Sequence, residues 1–188
     1  MKNFLYTLFF SLLTFPLASH ASGNLESTDL VGVTFWVISV ALVASTAFFF
    51  FESLRVKGKF RTSLVVSGLV TLVAAIHYFY MRDVWVTTGT SPTVFRYIDW
   101  VITVPLLMIE FYLILAACTK VSLGVFWRLT VGTLVMLIAG YLGEAGFIDS
   151  TIGFVVGMAG WAYILYEVFA GEAASVNASQ ATPAVQSA

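Results

Sequence analysis

The sequence predicts an all-α, polytopic membrane protein built as a bundle of transmembrane helices. Hydrophobic residues make up 60% of the 188 residues and charged residues only 10%, a balance outside the range of soluble globular domains. Five apolar stretches are each long enough to cross a bilayer, which takes about 20 helical residues at ~1.5 Å rise per residue. Short polar loops separate these stretches.

The N-terminal residues have the layout of a secretory signal peptide. Lys2 precedes an apolar run over residues 4–17, which is short for a spanning helix, and Ser19-His20-Ala21 forms a small-x-small ending. We therefore predict a signal peptide over residues 1–21 with cleavage near Ala21, followed by a polar extracellular segment over residues 22–29. An uncleaved N-terminal anchor is the alternative.

Five predicted spans follow in order, each bounded by charged or turn-forming residues. They cover about residues 30–51, 62–81, 94–118, 123–142 and 150–170. Between the second and third spans, alternating valines and threonines around Gly89 predict a short hairpin over residues 85–92. Residues 171–188, rich in Ala, Ser, Thr and Gln, predict a cytoplasmic linker.

The loop charges predict the orientation of the spans. Arg82 is the basic residue on one side, whereas the other side carries Arg55, Lys57, Lys59, Arg61, Lys120 and Arg128. By the positive-inside rule the second side is cytoplasmic. The mature N-terminus is then outside, and the third span runs from outside to inside.

The third span carries three ionisable residues, Arg96, Asp99 and Glu110. Such groups cost roughly 2.5–3.5 kcal/mol each at membrane depth, so they persist mainly where they face a protein interior and serve a function. Eleven helical steps bring Glu110 to within about 20° of the face of Asp99, ~16 Å further along the axis, with Thr103 beside this stripe. The pattern predicts two stations of a proton path; a local Arg96–Asp99 ion pair is the alternative.

Two further features support a proton path. Glu110 has no basic neighbour in sequence, and a desolvated carboxyl is expected to hold its proton at rest, as a proton donor must. His77 lies five residues before Arg82, ~7 Å below the outer end of the second span, and so level with Asp99. A histidine there would tune the proton affinity of the acceptor; a ring bonded to a backbone carbonyl or facing a neighbouring subunit is the alternative.

Other site classes find no support in the sequence. The net charge of −1 gives no indication of nucleic acid binding, and neither a phosphate loop nor a metal-spaced His/Cys cluster occurs. A single cysteine excludes a disulfide within the chain. The five apolar spans and the two carboxyls of the third span instead make membrane lipid and protons the expected partners.

The run SPTVFRYIDWVITVPLLMIEFYLILAA resembles the third helix of the proteorhodopsins, bacterial members of the microbial rhodopsin family. TSLVVSGLV with His77, YLGEAG and PAVQSA extend the resemblance. It implies five of the seven helices of a light-driven outward proton pump that binds retinal as a protonated Schiff base. Asp99 would be counterion and proton acceptor, Glu110 the donor, Arg96 part of the counterion complex and His77 the partner of Asp99.

The resemblance also implies a chromophore lining, a location and an assembly. Leucine at position 107 is typical of the green-absorbing type, and Glu110 favours a pump over a sensory rhodopsin. The implied location is the bacterial inner membrane, and the implied assembly is a homo-oligomer, a pentamer or hexamer, with Trp36 placed to contact a neighbour. The implied lining residues are Trp100, Thr103, Leu107, Met136, Gly140 and Trp161.

One departure from the family is large. The family attaches retinal to a lysine on the seventh helix, whereas the lysines of this chain are Lys2, Lys57, Lys59 and Lys120, none of them inside a predicted span. We interpret the chain as a partial sequence of a pump and do not expect these 188 residues alone to pump. A retinal-free five-helix interaction protein, whose charges only hold helices together, remains the alternative of a different class.

Overall fold

The computed structural model describes residues 25–180, so the predicted signal peptide lies outside the described residues. Within this range no strand occurs, and five helices are long and apolar enough to span a membrane. This confirms the predicted all-α membrane fold. The helices of this range are α1 (Leu30–Arg55), α2 (Phe60–Thr88), α3 (Thr93–Cys118), α4 (Leu123–Glu144), α5 (Ser150–Phe169) and α6 (Glu172–Gln180).

Aspartates cap two of the helices at their N-termini. Asp29 Oδ1 accepts a hydrogen bond of 2.9 Å from the Gly32 N–H, and Asp149 Oδ1 accepts one of 2.9 Å from the Thr151 N–H. Each satisfies a backbone donor that lacks an intrahelical partner. The Asp29 carboxylate also accepts from Trp85 Nε1 at 3.1 Å, which ties the start of α1 to the end of α2.

The hairpin predicted for residues 85–92 is wrong, because α2 continues to Thr88. Gly89 ends the helix with a left-handed φ of 64°, and its N–H donates to the Trp85 carbonyl at 2.7 Å. This is a helix C-cap that glycine adopts without steric cost. The hydroxyl of Thr88 donates to the Val84 carbonyl at 2.7 Å, so the threonines that suggested a strand are accommodated in the helix.

The linker predicted from residue 171 also differs from the structure, which has helix α6 over Glu172–Gln180. Ala173 is 2% exposed and packs in an apolar cluster with Leu115, Val125 and Leu129. Burial of this alanine stabilises a short helix that composition alone does not predict.

The first of two compact units extends to Asp99 and contains α1, α2 and the start of α3. Buried small residues recur every seven positions along α1 at Gly32, Ser39, Thr46 and Ser53. Thr46 and Thr71 share a hydroxyl hydrogen bond of 2.9 Å between the helices. Such residues let helix backbones approach closely while their hydroxyls stay bonded.

The second unit starts at Trp100 and contains the rest of α3 together with α4, α5 and α6. In this unit glycines bring α4 and α5 into close contact. A Cβ added to Gly153 would lie 2.8 Å from the Ala139 carbonyl oxygen, and one added to Gly160 would lie 2.9 Å from the Gly132 carbonyl oxygen. Any side chain at these two positions would push the helices apart.

Candidate proton-transfer site

Asp99 and His77 lie together within the first unit. Asp99 is 3% exposed, and its Oδ1 lies 3.5 Å from His77 Nδ1. The same nitrogen lies 2.9 Å from the carbonyl oxygen of Val73, one turn earlier on α2. With hydrogen on Nδ1, the ring donates to this carbonyl and only approaches the carboxylate. The His77 ring therefore lies beside the Asp99 carboxylate and is also hydrogen-bonded to a backbone carbonyl of its own helix.

Asp99 and His77 are both ionisable groups, and Asp99 is shielded from solvent. A buried carboxylate is expensive to ionise in a low-dielectric environment unless a donor or a cation lies close to it. A charged imidazolium 3.5 Å away would stabilise the ionised acid, and a neutral ring would not.

Arg96 lies one turn before Asp99 on α3. It is half-buried, and its Nη1 donates to Ser91 Oγ at 3.2 Å. Its guanidinium is thus held partly by the segment that precedes α3. Arg cannot lose its proton in a protein, so it supplies a permanent positive charge at this end of the helix.

The remaining candidates on α3 belong to the second unit. Thr103 is buried at 5% exposure, Glu110 and Trp100 are half-buried, and Leu107 is 42% exposed. Pro105 lies within the helix between the two predicted proton stations. The helix nevertheless continues from Thr93 to Cys118, as membrane helices with proline often do.

Two predicted lining residues lie where α4 meets α5. A Cβ added to Gly157 would lie 3.4 Å from the Met136 carbonyl oxygen and 3.9 Å from the Gly140 nitrogen. Trp161, one residue beyond the close contact at Gly160, is 45% exposed. An open groove of about 390 Å³ between the same helices has a purely apolar lining and includes none of the six predicted lining residues.

No lysine lies within α1 to α6 in the described range 25–180. Lys57 and Lys59 precede α2, and Lys120 lies between α3 and α4. The helices of this range therefore contribute carboxylates, but no lysine amine, to the candidate site.

Comparison with known proteins identifies the family. Residues 29–188 match the family described as Bacteriorhodopsin-like protein. The chain is 54% identical over 178 residues to the "Green-light absorbing proteorhodopsin" of Gamma-proteobacterium EBAC31A08, an alignment that covers 95% of this chain and 71% of that protein. The chain belongs to the bacteriorhodopsin-like family. It is accordingly a multi-pass bacterial membrane protein.

Two further similar proteins are named for the absorption of blue light. The "Blue-light absorbing proteorhodopsin" of Gamma-proteobacterium Hot 75m4 is 52% identical over 95% of this chain and 70% of its own length. The crystal structure of blue light-absorbing proteorhodopsin from Med12 superposes with a TM-score of 0.70 at 54% identity, over 78% of this chain and 70% of that one. Overall identity does not separate green from blue, so the spectral type indicated by Leu107 stays a prediction.

Sequence reasoning missed one charged group. Glu167 lies inside the fifth predicted span, yet it is 4% exposed and accepts two hydrogen bonds of 3.0 Å from the Arg128 side chain. The signal was present in the sequence, because a carboxyl within an apolar span requires a partner. Arg128 contributes to the loop charges that predict orientation, and its pairing with Glu167 is a second role that the loop charges do not reveal.

Proposed function

We propose that these helices serve a light-driven outward proton pump that uses retinal. The observation that carries the proposal is the buried Asp99 carboxylate 3.5 Å from His77, in a chain 54% identical to a green-light absorbing proteorhodopsin. An ionisable side chain on a spanning helix costs free energy, so it is retained mainly where it serves a function. A neighbouring titratable ring is what a proton acceptor needs.

In this proposal each residue has a distinct role. Asp99 carries the negative charge that stabilises a cationic chromophore, and it accepts the outgoing proton. His77 adjusts the proton affinity of Asp99, and Arg96 supplies the permanent positive charge on the outer side. Glu110, eleven residues further along α3, holds a proton for delivery from the inner side.

The family resemblance supplies the chromophore roles in this proposal. By that resemblance Asp99 would be the counterion of retinal, and the residues that would line the chromophore are Trp100, Thr103, Leu107, Met136, Gly140 and Trp161. Retinal, when bound, supplies the light-absorbing cation. The attachment lysine is not among residues 25–180, so the proton-transfer roles within this range fall to the carboxylates, the histidine and the arginine.

The test uses the complete reading frame that contains these residues, expressed in bacterial cells with added retinal. Illumination should acidify the medium, and an uncoupler should abolish the signal. Asp99→Asn should abolish acidification, whereas Glu110→Gln should keep the pigment coloured and slow its recovery after a flash. Normal pumping by both variants would overturn the roles. A coloured pigment without any pH change would favour a sensory rhodopsin.

Orientation and assembly are part of the same proposal. The mature N-terminus would lie outside the inner membrane, because the basic loops mark the cytoplasmic side. The protein would form a pentamer or hexamer in the bilayer. Protease digestion of an N-terminal tag in intact cells checks the first point, and native mass spectrometry checks the second. A protected tag or a monomer would contradict the respective proposal.

A further inference from the structure

An ion network joins three helices at one end of the second unit. Arg128 of α4 donates from Nε to Glu167 Oε2 and from Nη2 to Glu167 Oε1, each at 3.0 Å. Its Nη2 also donates to Glu172 Oε2 at 2.6 Å. The fork of one guanidinium thus holds the last turns of α5 and, together with hydrogen bonds from Ser122 to Glu172, the first residue of α6.

Glycines on both sides leave room for the network. A Cβ added to Gly171 would lie 2.6 Å from Glu167 Oε2 and 2.8 Å from Glu167 Cα, so a side chain at this position would push on both the carboxylate and the backbone of Glu167. A Cβ added to Gly124 would lie 3.1 Å from Arg128 Nη1. Both oxygens of the buried Glu167 carboxylate accept hydrogen bonds from Arg128. A buried ion pair is tolerated inside a protein when its charges are paired and hydrogen-bonded in this way.

The network adjoins the apolar cluster at the end of α3. Ala173 follows Glu172 directly and packs with Leu115, Val125 and Leu129, which are at most 5% exposed. Met108 and Phe111 pack against the same cluster, and they flank Glu110 in the sequence of α3. The contacts that hold Glu172 therefore also hold Ala173 against this cluster, to which α3 contributes Leu115.

We propose that Arg128, braced by Glu167, positions α6 as a cover on the apolar cluster and so limits the access of water to the half of α3 that contains Glu110 and Cys118. Arg128 and Glu167 are positioning residues, and Glu172 is the residue of α6 that accepts a hydrogen bond from Arg128. The cover itself does not depend on pumping. Its value to a pump, a dry inner approach to the proton donor, rests on the function proposed above.

Cys118 provides a built-in reporter. It is the single cysteine of the chain, it ends α3 and it lies three residues after Leu115. Its alkylation by N-ethylmaleimide, measured in the dark in native membranes, reports opening of this region without retinal or light. Glu172→Gln removes the negative charge that pairs with Arg128 and keeps a side chain of the same size. Because Glu172 is partly exposed, we expect alkylation about two- to fivefold faster.

Further variants separate the cover from a general loss of structure. Gly171→Ala, which pushes on the Glu167 carboxylate, should also speed alkylation, and Glu172→Asp should restore part of the protection. Glu52→Gln removes a comparable carboxylate that pairs with Arg55 in the first unit at 3.0 Å and should leave the rate unchanged. Unchanged alkylation in both Glu172→Gln and Gly171→Ala would overturn the proposal.

The outcomes for the cover and for the pump are distinguishable. Faster alkylation in Glu172→Gln together with normal acidification by Asp99→Asn would support the cover and overturn the pump roles. Faster alkylation that also appears in Glu52→Gln would show a global effect and count against the cover. If Arg128→Gln fails to accumulate in membranes, the Glu172 and Gly171 variants still decide the question.

Discussion

Two alanine substitutions on α5 should have opposite effects on stability, although both replace a helical glycine. A Cβ on Gly153 would lie 2.8 Å from both the Ala139 carbonyl oxygen and Gly143 Cα, which are backbone atoms that cannot rotate away. A Cβ on Gly157 would meet the Met136 carbonyl oxygen at 3.4 Å, an ordinary contact. The same methyl group is therefore a clash at one site and fits at the other.

The magnitudes follow from two terms. Alanine gains about 0.8–1 kcal/mol over glycine in a helix interior, and this gain applies at both sites. At Gly153 the clash subtracts roughly 1–3 kcal/mol, the usual cost of inserting a methyl group into a packed interface. We expect Gly157→Ala to stabilise the protein slightly and Gly153→Ala to be about 1–3 kcal/mol less stable than Gly157→Ala.

The assay is reversible unfolding of the purified protein from mild detergent into SDS, followed by circular dichroism. The two variants differ by the position of one methyl group on one helix, so each serves as the control for the other. Equal unfolding free energies for Gly153→Ala and Gly157→Ala would refute the packing described for α4 and α5. A Gly157→Ala variant that is the less stable of the two would refute it more strongly.

The remaining predictions concern buried threonines and use the same assay. Thr46→Val removes the hydroxyl that bonds Thr71 at 2.9 Å across α1 and α2, so the protein should lose about 0.5–1.5 kcal/mol; no change would argue against that bond. Thr133 is fully buried on α4, and its hydroxyl has no hydrogen-bond partner within the described part of the chain. Thr133→Val should therefore be neutral or stabilising by up to about 1 kcal/mol, and a clear loss of stability would reveal a partner, such as a bound water.

The membrane fold could be read from the sequence because the bilayer imposes few solutions. Backbone groups in hydrocarbon must bond within their own segment, so an apolar stretch of sufficient length is a helix. Depth arithmetic along two antiparallel spans also placed His77 level with Asp99, and in the structure the ring and the carboxylate lie 3.5 Å apart. Both arguments use rise per residue and little else.

The errors fell where local pattern competes with packing or with helix capping. Alternating valines and threonines before Gly89 suggested a strand, but the threonine hydroxyls bond to carbonyls of their own helix and the glycine caps it. The composition after residue 171 suggested a linker, but burial of Ala173 makes it helical. In both cases the sequence pattern was real, and a different set of contacts decided the conformation.

The sequence by itself determined the class of this protein, the number of spanning helices between residues 25 and 180 and the acids on the third of them, since hydrophobic length and the cost of buried charge act locally along the chain. Only the tertiary structure decided that Arg128 binds Glu167 and Glu172, which follow it by 39 and 44 residues. It also decided which glycines bring α4 against α5. Pairings of this kind depend on distances between segments, and a linear pattern does not contain those distances.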